Sequence, residues 1–559
     1  MKELIANGLW WLSCLPESAK FRYSTRRLEE TQRRRLTDLL SKNCSSRFGR
    51  KYDFGSIRSV EEFQSRVPMM DETTLRAYAD EIADGHKDVL FPGLPDCLQP
   101  TSGSTAGSKL IPYSRALRRE YQAGIAPWVA DMFWRYPQLL SGSAYWSISP
   151  AGHHSRQTRG GLRIGFEDDS EYLSPIFRRL LGRTLAVPAE VSQIEDMDSF
   201  RYVTLIFLLK AGNLSFVSIW NPTFLTLLVK PLEGWFLAIT DDIRRGTLHP
   251  PTRLPDCLFE ALSRRLGGPD AKRAGELDRI YRERAGNSKS LFRKIWPRLR
   301  VISCWADAAA QMPAEQLKDF FPEADILPKG LMATEGVVSI PKTGLSAGVL
   351  AIRSHFYEFL PEDGEGPVTA WNLRTGCRYS VMLTTGGGLY RYQLNDRVEV
   401  TGFLNQCPLL KFVGRAANVS DLYGEKLHEA HVVEVLEQLF KEESPRPSFT
   451  LLAPDAEEGR YALYIAGDAR PSSEKIAQWR ALMESELCKN FHYDYCRRIG
   501  QLSPVEIHWI EQGSTFASQR YLQFQKNRGQ TLGAIKPVVF DKNPVSSRVF
   551  SLAGCEVGP

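Results

Sequence analysis

Short apolar runs that alternate with longer helical stretches are the feature that most constrains how this chain folds. The runs recur between residues 144 and 413, and stretches such as 223–244 and 257–265 lie between them with the length and composition of helices. Strands that alternate with helices are typical of an α/β domain with a largely parallel sheet. The predicted strands are 144–149, 202–209, 214–220, 299–304, 326–331, 349–353, 379–384, 398–402 and 410–413.

A second, smaller domain is predicted after Gly414. Two helices and three strands follow that residue, a combination typical of an α+β domain. They are the helices 427–441 and 473–489 and the strands 448–452, 461–466 and 505–511. The joining residues 414–418 are small or polar, which suits a hinge better than a rigid seam. Because one hydrophobic core rarely supports 559 residues, we predict a large domain at 1–414 and a small, mobile domain at 415–559.

Two apolar segments resemble targeting or membrane signals. Residues 1–12 carry an acid and a base and precede no clear cleavage site, so we expect a packed helix and not a signal peptide. The second segment, 202–220, is interrupted by Lys210, Gly212 and Asn213, so we interpret it as two buried strands joined by a turn. We therefore expect no membrane association.

Charge and cysteine content narrow the class of protein further. A formal net charge of +6 is mild for 559 residues, and it suits anionic substrates without indicating a nucleic-acid binder. We interpret the arginines at 26, 27 and 33–35 as a solvated helix face and not as a nucleic-acid arm. The ten cysteines form no CxxC pair, so we expect reduced thiols and a cytoplasmic protein. No obligate protein partner is evident.

The segment from Thr101 to Lys109 carries the clearest chemical signal. It holds five hydroxyl side chains and two glycines and ends on a lysine. Glycines let successive backbone N–H groups point into one concavity, and such a concavity can hold a pyrophosphate. The glycines at 103 and 107 are too close together for a Walker A loop. From composition alone, a flexible surface loop remains an equal alternative.

This segment, continued through Pro112, resembles the nucleotide loop of adenylate-forming enzymes, and within them that of the Gretchen Hagen family of acyl-acid amido synthetases. Three further segments are similar to family motifs and follow in the order that the family requires. They are Met332-Ala333-Thr334-Glu335-Gly336, Tyr390-Arg391-Tyr392-Gln393-Leu394-Asn395-Asp396, and Val413-Gly414-Arg415 with the residues up to Lys426. The resemblance implies a large N-terminal adenylate-forming domain with mixed or parallel sheets, which holds the ATP and acyl-acid site, and a mobile C-terminal domain.

The resemblance also implies roles for individual residues. The nucleotide contacts would be Ser102, Gly103, Ser104, Thr105, Lys109, Thr334, Tyr390, Asp396 and Lys426. Asp396 would bind the ribose hydroxyls, and Glu335 would be a Mg²⁺ ligand, because Mg²⁺ prefers hard oxygens. Lys536 and Arg415 would join Glu335 in catalysis, with Lys536 offsetting the charge that develops on the phosphate. Asn395 stands where the family has Gly, and Asn is a non-glycine residue that tolerates a left-handed backbone.

The implied reaction needs ATP and Mg²⁺ and has two halves. A small-molecule carboxylic acid displaces pyrophosphate from ATP, and the acyl-adenylate then reacts with an amino acid or another amine to form an amide. One alternative is a ligase that delivers the acyl group to CoA or to a carrier thiol, because the first half-reaction is shared. An alternative of another class is a non-catalytic nucleotide-binding relative, against which the presence of Glu335, Asp396 and Lys536 argues.

Overall fold

Two compact units make up this computed structural model. The first, here called the large unit, comprises residues 1–305 and 317–412, and the second, the small unit, comprises 306–316 and 413–559. The residues that the structure describes are 2–101, 109–146, 156–166, 182–284, 288–362, 364, 366–415, 418–443, 445–528, 535, 538–543 and 549–550.

Polar side chains cap the first turns of several helices of the large unit. The Asp71 carboxylate accepts from the Thr74 N–H, and the Ser114 hydroxyl accepts from the Leu117 N–H, as expected of N-cap residues. The helices are α1 (Lys2–Ser24), α2 (Leu28–Asn43), α3 (Arg47–Lys51), α4 (Val60–Arg66), α5 (Glu72–Ala83), α6 (Arg115–Arg135), α7 (Met197–Lys210), α8 (Pro222–Val229), α9 (Leu232–Arg245), α10 (Asp256–Leu266), α11 (Ala271–Arg282) and α12 (Ser288–Ile295).

The strand predicted at 202–209 is wrong, because this segment lies within α7. The Asp196 side chain caps that helix by accepting from the Ser199 N–H. Every residue from Tyr202 to Leu209 is buried. A helix that is buried on all sides shows no amphipathic period, so its sequence is a continuous apolar run that resembles a buried strand.

The single helix predicted at 223–244 is in fact two helices, α8 and α9. Pro231 lies between them, and proline has no N–H to continue the hydrogen-bond pattern of a helix. Among the residues that the structure describes, no single helix has the length and apolar composition of a membrane span. The pair α8 and α9 meets that criterion only when both helices are taken together, across a bend of 65°.

The strands of the large unit are β1 (Cys97–Thr101), β2 (Lys109–Tyr113), β3 (Ser143–Trp146), β4 (Arg156–Gln157), β5 (Arg163–Ile164), β6 (Leu214–Ser218), β7 (Val301–Cys304), β8 (Asp325–Pro328), β9 (Met332–Ala333), β10 (Gly336–Val337), β11 (Ser339–Ile340), β12 (Gly348–Leu350), β13 (Phe356–Pro361), β14 (Val368–Thr369), β15 (Arg378–Thr384), β16 (Tyr392–Leu404) and β17 (Cys407–Arg415).

Parallel and antiparallel sheets both occur in the large unit, which confirms the predicted α/β class. The parallel sheet has the order β3-β6-β7-β8, and the largest sheet has the order β11-β12-β17-β16-β15-β13-β14. In the largest sheet the pairs β11–β12, β12–β17, β13–β14, β13–β15 and β15–β16 are antiparallel, so the prediction of a largely parallel sheet holds only for the smaller one. Strands β2-β1-β5-β4 form another sheet, and β9 and β10 form a hairpin.

Strand β17 continues into the small unit from Val413. Residues 147–149 of the first predicted strand lie outside the described residues.

The N-terminal segment forms a packed helix, as predicted. Trp10 of α1 packs edge-on against Phe133 of α6, with 5.7 Å between ring centroids. The Asn7 amide donates to the Leu139 carbonyl at 3.1 Å. In the arginine run, Arg35 departs from the predicted solvated face, because its guanidinium reaches inward to the buried carboxylate of Glu120 at 2.6 Å. The nine cysteines within the described part of the chain are all free thiols.

The small unit contains a three-stranded sheet in the order β20-β21-β22 and a two-stranded sheet of β18 and β19. Its core includes Leu436, Leu463 and Met483, which are buried apolar residues of successive helices and strands. The strands are β18 (Val419–Ser420), β19 (Leu427–His428), β20 (Phe449–Asp455), β21 (Arg460–Ala466) and β22 (Glu506–Trp509). The helices are α13 (Gln311–Phe320), of which the first part belongs to this unit, α14 (Glu429–Leu439), α15 (Ser473–Leu487), α16 (Phe491–Arg498) and α17 (Gly513–Asn527).

Candidate functional site

A buried cluster of Lys109, Glu335 and Tyr392 brings together three of the sequence motifs inside the large unit. The Lys109 ammonium donates to Glu335 Oε1 at 2.5 Å and to the Tyr392 hydroxyl at 2.7 Å. The Lys109 and Glu335 side chains are only 9% and 8% exposed. A paired acid and base at this depth form a charged site that is closed off from bulk water, where electrostatic interactions are strong.

The surroundings of this cluster keep its lysine charged and its tyrosine neutral. Burial alone would lower the pKa of the Lys109 ammonium, but the charge of Glu335 and the hydrogen bonds to Glu335 and Tyr392 outweigh burial and raise that pKa above its ordinary value. Burial, with the charge of Glu335 added, raises the pKa of the Tyr392 phenol to about 12. At neutral pH the cluster is therefore an ammonium that is held by a carboxylate and a neutral phenol.

Strands β1 and β2 hold the two ends of the glycine- and hydroxyl-rich segment together. Their antiparallel register pairs Thr101 directly with Lys109. The predicted contacts Ser102, Gly103, Ser104 and Thr105 lie outside the described residues. Because Lys109 is the first residue of β2, the described end of this segment lies at the buried cluster.

Glu335 is positioned by a tight turn between β9 and β10. Ala333 pairs with Gly336, so Thr334 and Glu335 are the two residues of the turn. Glu335 points into the cluster, and Thr334 is half-buried. The sequence motif therefore corresponds to a hairpin, and its acidic residue is the one that contacts Lys109.

Strand β16 carries Tyr392 at its start and Asp396 four residues later, and Asp396 is completely buried. Asn395 has a φ of +62°, which confirms the expectation that asparagine adopts the left-handed backbone there. Gln393 pairs with Met382, and Arg397 pairs with Ser380. Between these two pairs the chain advances by four residues along β16 but by only two along β15. This bulge places Asp396 where the regular pairing of the strand is interrupted.

Tyr390, a predicted nucleotide contact, has core contacts in the structure. Its hydroxyl donates to the Leu90 carbonyl at 2.5 Å, and its ring stacks on Phe48 at 4.7 Å between centroids. Tyr392 has the polar position in the cluster, although it was not among the predicted site residues. The available signal was its place in the same motif as Asp396, and that signal does not distinguish Tyr392 from Tyr390.

Arg391 links this strand to the N-terminal helices. Its guanidinium donates to the carboxylate of Glu358 at 3.1–3.2 Å and to the carbonyls of Gln64 and Val67 at 2.6 and 2.7 Å. Main-chain hydrogen bonds at Met70 continue the link. The Met70 N–H donates to the Arg391 carbonyl, and the Met70 carbonyl accepts from the Gln393 N–H. Arg391 is thus a structural support of the site, which the motif alone did not indicate.

Two of the remaining candidate site residues, Arg415 and Lys426, lie in the small unit. Arg415 is the last residue of β17, and Lys426 is exposed at a positive φ of 43°. The turn before Lys426 is fixed by the buried carboxylate of Glu425, which accepts from the N–H groups of Leu422 and Tyr423 at 2.8 Å each. The Tyr461 hydroxyl donates to the same carboxylate.

Lys536 lies outside the described residues, so its predicted role stays a prediction. The adjoining Ile535 is buried within the small unit. The roles predicted for Arg415 and Lys426 likewise stay predictions, since the structure gives the place of each residue and not its function.

The donor set at Glu335 fits a magnesium ion that is carried by a nucleotide. Across the described residues, no group of three or more histidine, cysteine, aspartate or glutamate side chains could hold a metal ion. Mg²⁺ is commonly bound through one or two carboxylates together with substrate phosphates. The single buried carboxylate of Glu335, beside the Lys109 ammonium, fits this mode of binding. It does not fit an ion that is held by protein ligands alone.

Three consecutive parts of the chain match the domains of one protein family. Residues 17–326 match the GH3 family N-terminal domain, residues 348–415 the GH3 family central domain and residues 429–543 the GH3 family C-terminal domain. Among curated relatives, indole-3-acetic acid-amido synthetase GH3.4 of Arabidopsis thaliana is 25% identical over 543 residues, which cover 92% of this chain and 89% of that protein. Jasmonoyl–L-amino acid synthetase JAR6 of Nicotiana attenuata is 24% identical, with 89% and 88% covered.

Solved structures share the fold. GH3.15 acyl acid amido synthetase superimposes with a TM-score of 0.80 at 18% identity, over 95% of each chain. The complex of AtGH3.15 acyl acid amido synthetase with 2,4-DB has a TM-score of 0.82 at 18% identity, over 97% of this chain and 95% of that one. At this identity the likeness is one of fold.

Proposed function

The chain belongs to the GH3 family, and we propose on that premise that it is an acyl-acid amido synthetase, a ligase that joins a carboxylic acid to an amine at the expense of ATP. The acid's carboxylate attacks the α-phosphorus of ATP, and the bond to pyrophosphate breaks. The amine then attacks the acyl carbon of the mixed anhydride and releases a proton to solvent, an amide bond forms, and AMP leaves with the electrons of the broken C–O bond.

The observation that carries the proposal is the contact of Lys109 with Glu335 and Tyr392. Lys109 ends the segment whose composition suits a pyrophosphate, Glu335 is the acid of the second motif, and Tyr392 belongs to the third. A buried ammonium and carboxylate at one point provide charge of both signs, for phosphate oxygens and for a cation that accompanies them. Such preorganised charge is the main means of catalysis in phosphoryl transfer.

Within this proposal each candidate has a role that experiments can separate. Mg²⁺, when bound through Glu335, would offset charge on the phosphates of ATP. Asp396 would bind the ribose, and Lys536 and Arg415 would act on the phosphates during adenylation. The remaining nucleotide contacts would be Ser102, Gly103, Ser104, Thr105, Lys109, Thr334 and Lys426, whereas the hydroxyl and ring of Tyr390 are engaged in the core.

For the substrates we propose a small-molecule carboxylic acid and an amino acid, and for the compartment the cytoplasm. The names of the relatives include indole-3-acetic acid and jasmonoyl conjugates, and a solved relative is bound to 2,4-DB. These compounds define the chemical class in which to search first, namely carboxylic acids with a cyclic apolar body.

The first experiment measures acid-dependent exchange of labelled pyrophosphate into ATP over a panel of carboxylic acids. The panel contains indole-3-acetic acid, jasmonic acid, 2,4-DB, benzoates and fatty acids. We expect exchange with at least one acid and its loss in Glu335→Gln. Glu17→Gln is the matched control, because Glu17 is also an ion-paired carboxylate, with Arg353, but belongs to none of the motifs. Absence of exchange with every acid would refute the proposed function.

The second experiment identifies the acceptor. The active acid and ATP are incubated with the twenty amino acids or with CoA, and products are separated by mass spectrometry. We expect an amide with an amino acid. A thioester without any amide would instead establish the thiol-ligase alternative.

A further inference from the structure

A buried polar network lies directly beneath the hairpin that carries Glu335. His355 precedes β13 and is completely buried, and Glu120 of α6 is buried beside it at 3.0 Å. Neither residue belongs to one of the four sequence motifs. The inference drawn from this network rests on the proposed function, because it concerns how Glu335 is held.

His355 contacts the hairpin immediately after its turn. The Val337 N–H donates to His355 Nε2 at 3.2 Å. A Cβ atom at Gly336 would stand 2.5 Å from the same nitrogen, so only glycine permits the imidazole ring to lie this close. Because Nε2 accepts a hydrogen bond, the proton of the neutral ring is on Nδ1.

The other edge of the ring is fixed by Glu120. Nδ1 donates to Glu120 Oε2 at 3.0 Å, and the Gly386 N–H donates to both oxygens of that carboxylate at 2.9–3.0 Å. The guanidinium of Arg35 in α2 lies 2.6 Å from the Glu120 carboxylate and compensates its charge. The same guanidinium donates to the Ser354 carbonyl at 2.8 Å. The imidazole is therefore held at both nitrogens by fixed groups.

The hairpin depends on such ties because it has little structure of its own. Strands β9 and β10 have two residues each, and an isolated two-stranded hairpin is at best marginally stable in water. Both polar main-chain groups of Val337 are bound by side chains, the N–H by His355 and the carbonyl by the Tyr357 hydroxyl at 2.6 Å. Val337 is two residues from Glu335, so this clamp sets the position of the turn.

We propose that His355, oriented by Glu120, is a positioning residue that holds the Glu335 turn in the geometry required for nucleotide and magnesium binding. His355 contacts the backbone of the hairpin and acts on Glu335 only through it. Partners that orient a metal ligand typically change metal affinity by about 10–100-fold when they are lost. The same size of effect is expected here.

The test compares His355→Phe, which removes both bonds, with His355→Gln, whose amide oxygen can still accept from the Val337 N–H. Tyr202→Phe is the control, because it removes another buried hydrogen bond, to Asp242 at 2.9 Å, far along the chain from the hairpin. Two quantities are measured: the Mg²⁺ concentration for half-maximal pyrophosphate exchange, and the hydrogen–deuterium exchange rate of the peptide containing residues 332–340.

We expect His355→Phe to raise the half-saturating Mg²⁺ concentration at least about tenfold and to speed amide exchange in that peptide, with an unchanged KM for the acid. His355→Gln should recover most of both effects, and Tyr202→Phe should show neither. Wild-type Mg²⁺ dependence together with wild-type amide exchange in His355→Phe would overturn the positioning role. If His355→Phe does not fold, Glu120→Gln, which removes the charge that orients the ring, takes its place: the same two changes support the positioning role, and wild-type values of both overturn it.

Failure of the proposed function is recognisable separately. A wild-type protein that exchanges no pyrophosphate with any acid would refute the reaction. In that case amide exchange at 332–340 still decides the positioning role: faster exchange in His355→Phe supports it, and unchanged exchange overturns it.

Discussion

The buried pair of Lys109 and Glu335 leads to a prediction about stability as well as activity. At 2.5 Å and an effective dielectric constant of about 20, the attraction between the two charges is about 7 kcal/mol. Desolvation of each ion costs several kcal/mol, so the net contribution of the intact pair to the free energy of unfolding is small. Removal of one partner is different, because it leaves the other charge buried and uncompensated.

We therefore expect Lys109→Met to lower the free energy of unfolding by about 3–5 kcal/mol. The carboxylate of Glu335 would keep its place in a site that is 8% exposed and would lose its cation. In the double variant Lys109→Met with Glu335→Gln, no charge remains to be compensated. The double variant should accordingly be more stable than Lys109→Met alone by about 2 kcal/mol or more.

The assay is urea denaturation followed by tryptophan fluorescence for the wild type, both single variants and the double variant, with pyrophosphate exchange measured on each. Stability should be regained in the double variant while exchange stays absent, because the phosphate site needs both charges. Strictly additive losses in the four-protein cycle would show that the two side chains are not coupled and would refute the reasoning.

Three further outcomes are expected. Asp396→Asn should raise the KM for ATP by about 10–100-fold, which is the loss expected when hydrogen bonds to a charged group are removed, and should leave the KM for the acid unchanged. A KM for ATP equal to that of the wild type would contradict the ribose role. Lys536→Ala should slow adenylation by about 10²-fold or more but not amide formation from a supplied adenylate, and equal slowing of both steps would count against the assignment. The pKa of Tyr392 is raised to about 12, so its contribution to stability is present below pH 10, the ordinary value, and is lost as the pH rises through 12. The difference in unfolding free energy between wild type and Tyr392→Phe should shrink between pH 10 and pH 12, and a constant difference would refute the raised pKa of Tyr392.

Burial explains why the sequence patterns failed at 202–209 and at Arg35. The run at 202–209 has no period because α7 is enclosed on all sides, and periodicity is the signal that separates helix from strand. Arg35 belongs to a run of arginines that suggested a solvated face, but its partner Glu120 is distant in sequence and only the fold brings them together. Pro231, in contrast, was a visible local signal for the break between α8 and α9.

The site was predictable to the extent that its motifs are local. Glu335, Lys109 and Asp396 were identified from short segments, and the left-handed Asn395 followed from the conformational preference of asparagine. The choice between Tyr390 and Tyr392 was not predictable in the same way. It depends on which ring faces Lys109 and which packs on Phe48, and these contacts are made between distant segments.

The bonds made by Arg391 have a consequence for any shortened form of the protein. Two of the groups that solvate its guanidinium are the carbonyls of Gln64 and Val67, which belong to the first seventy positions of the chain. A truncated chain that starts at the glycine-rich segment would keep every motif residue and still lose these acceptors. The guanidinium of Arg391, buried in the intact chain, would lose its cover there and be held by Glu358 alone, next to Tyr392, so N-terminal trimming should disable the site from a distance and not merely remove an appendage.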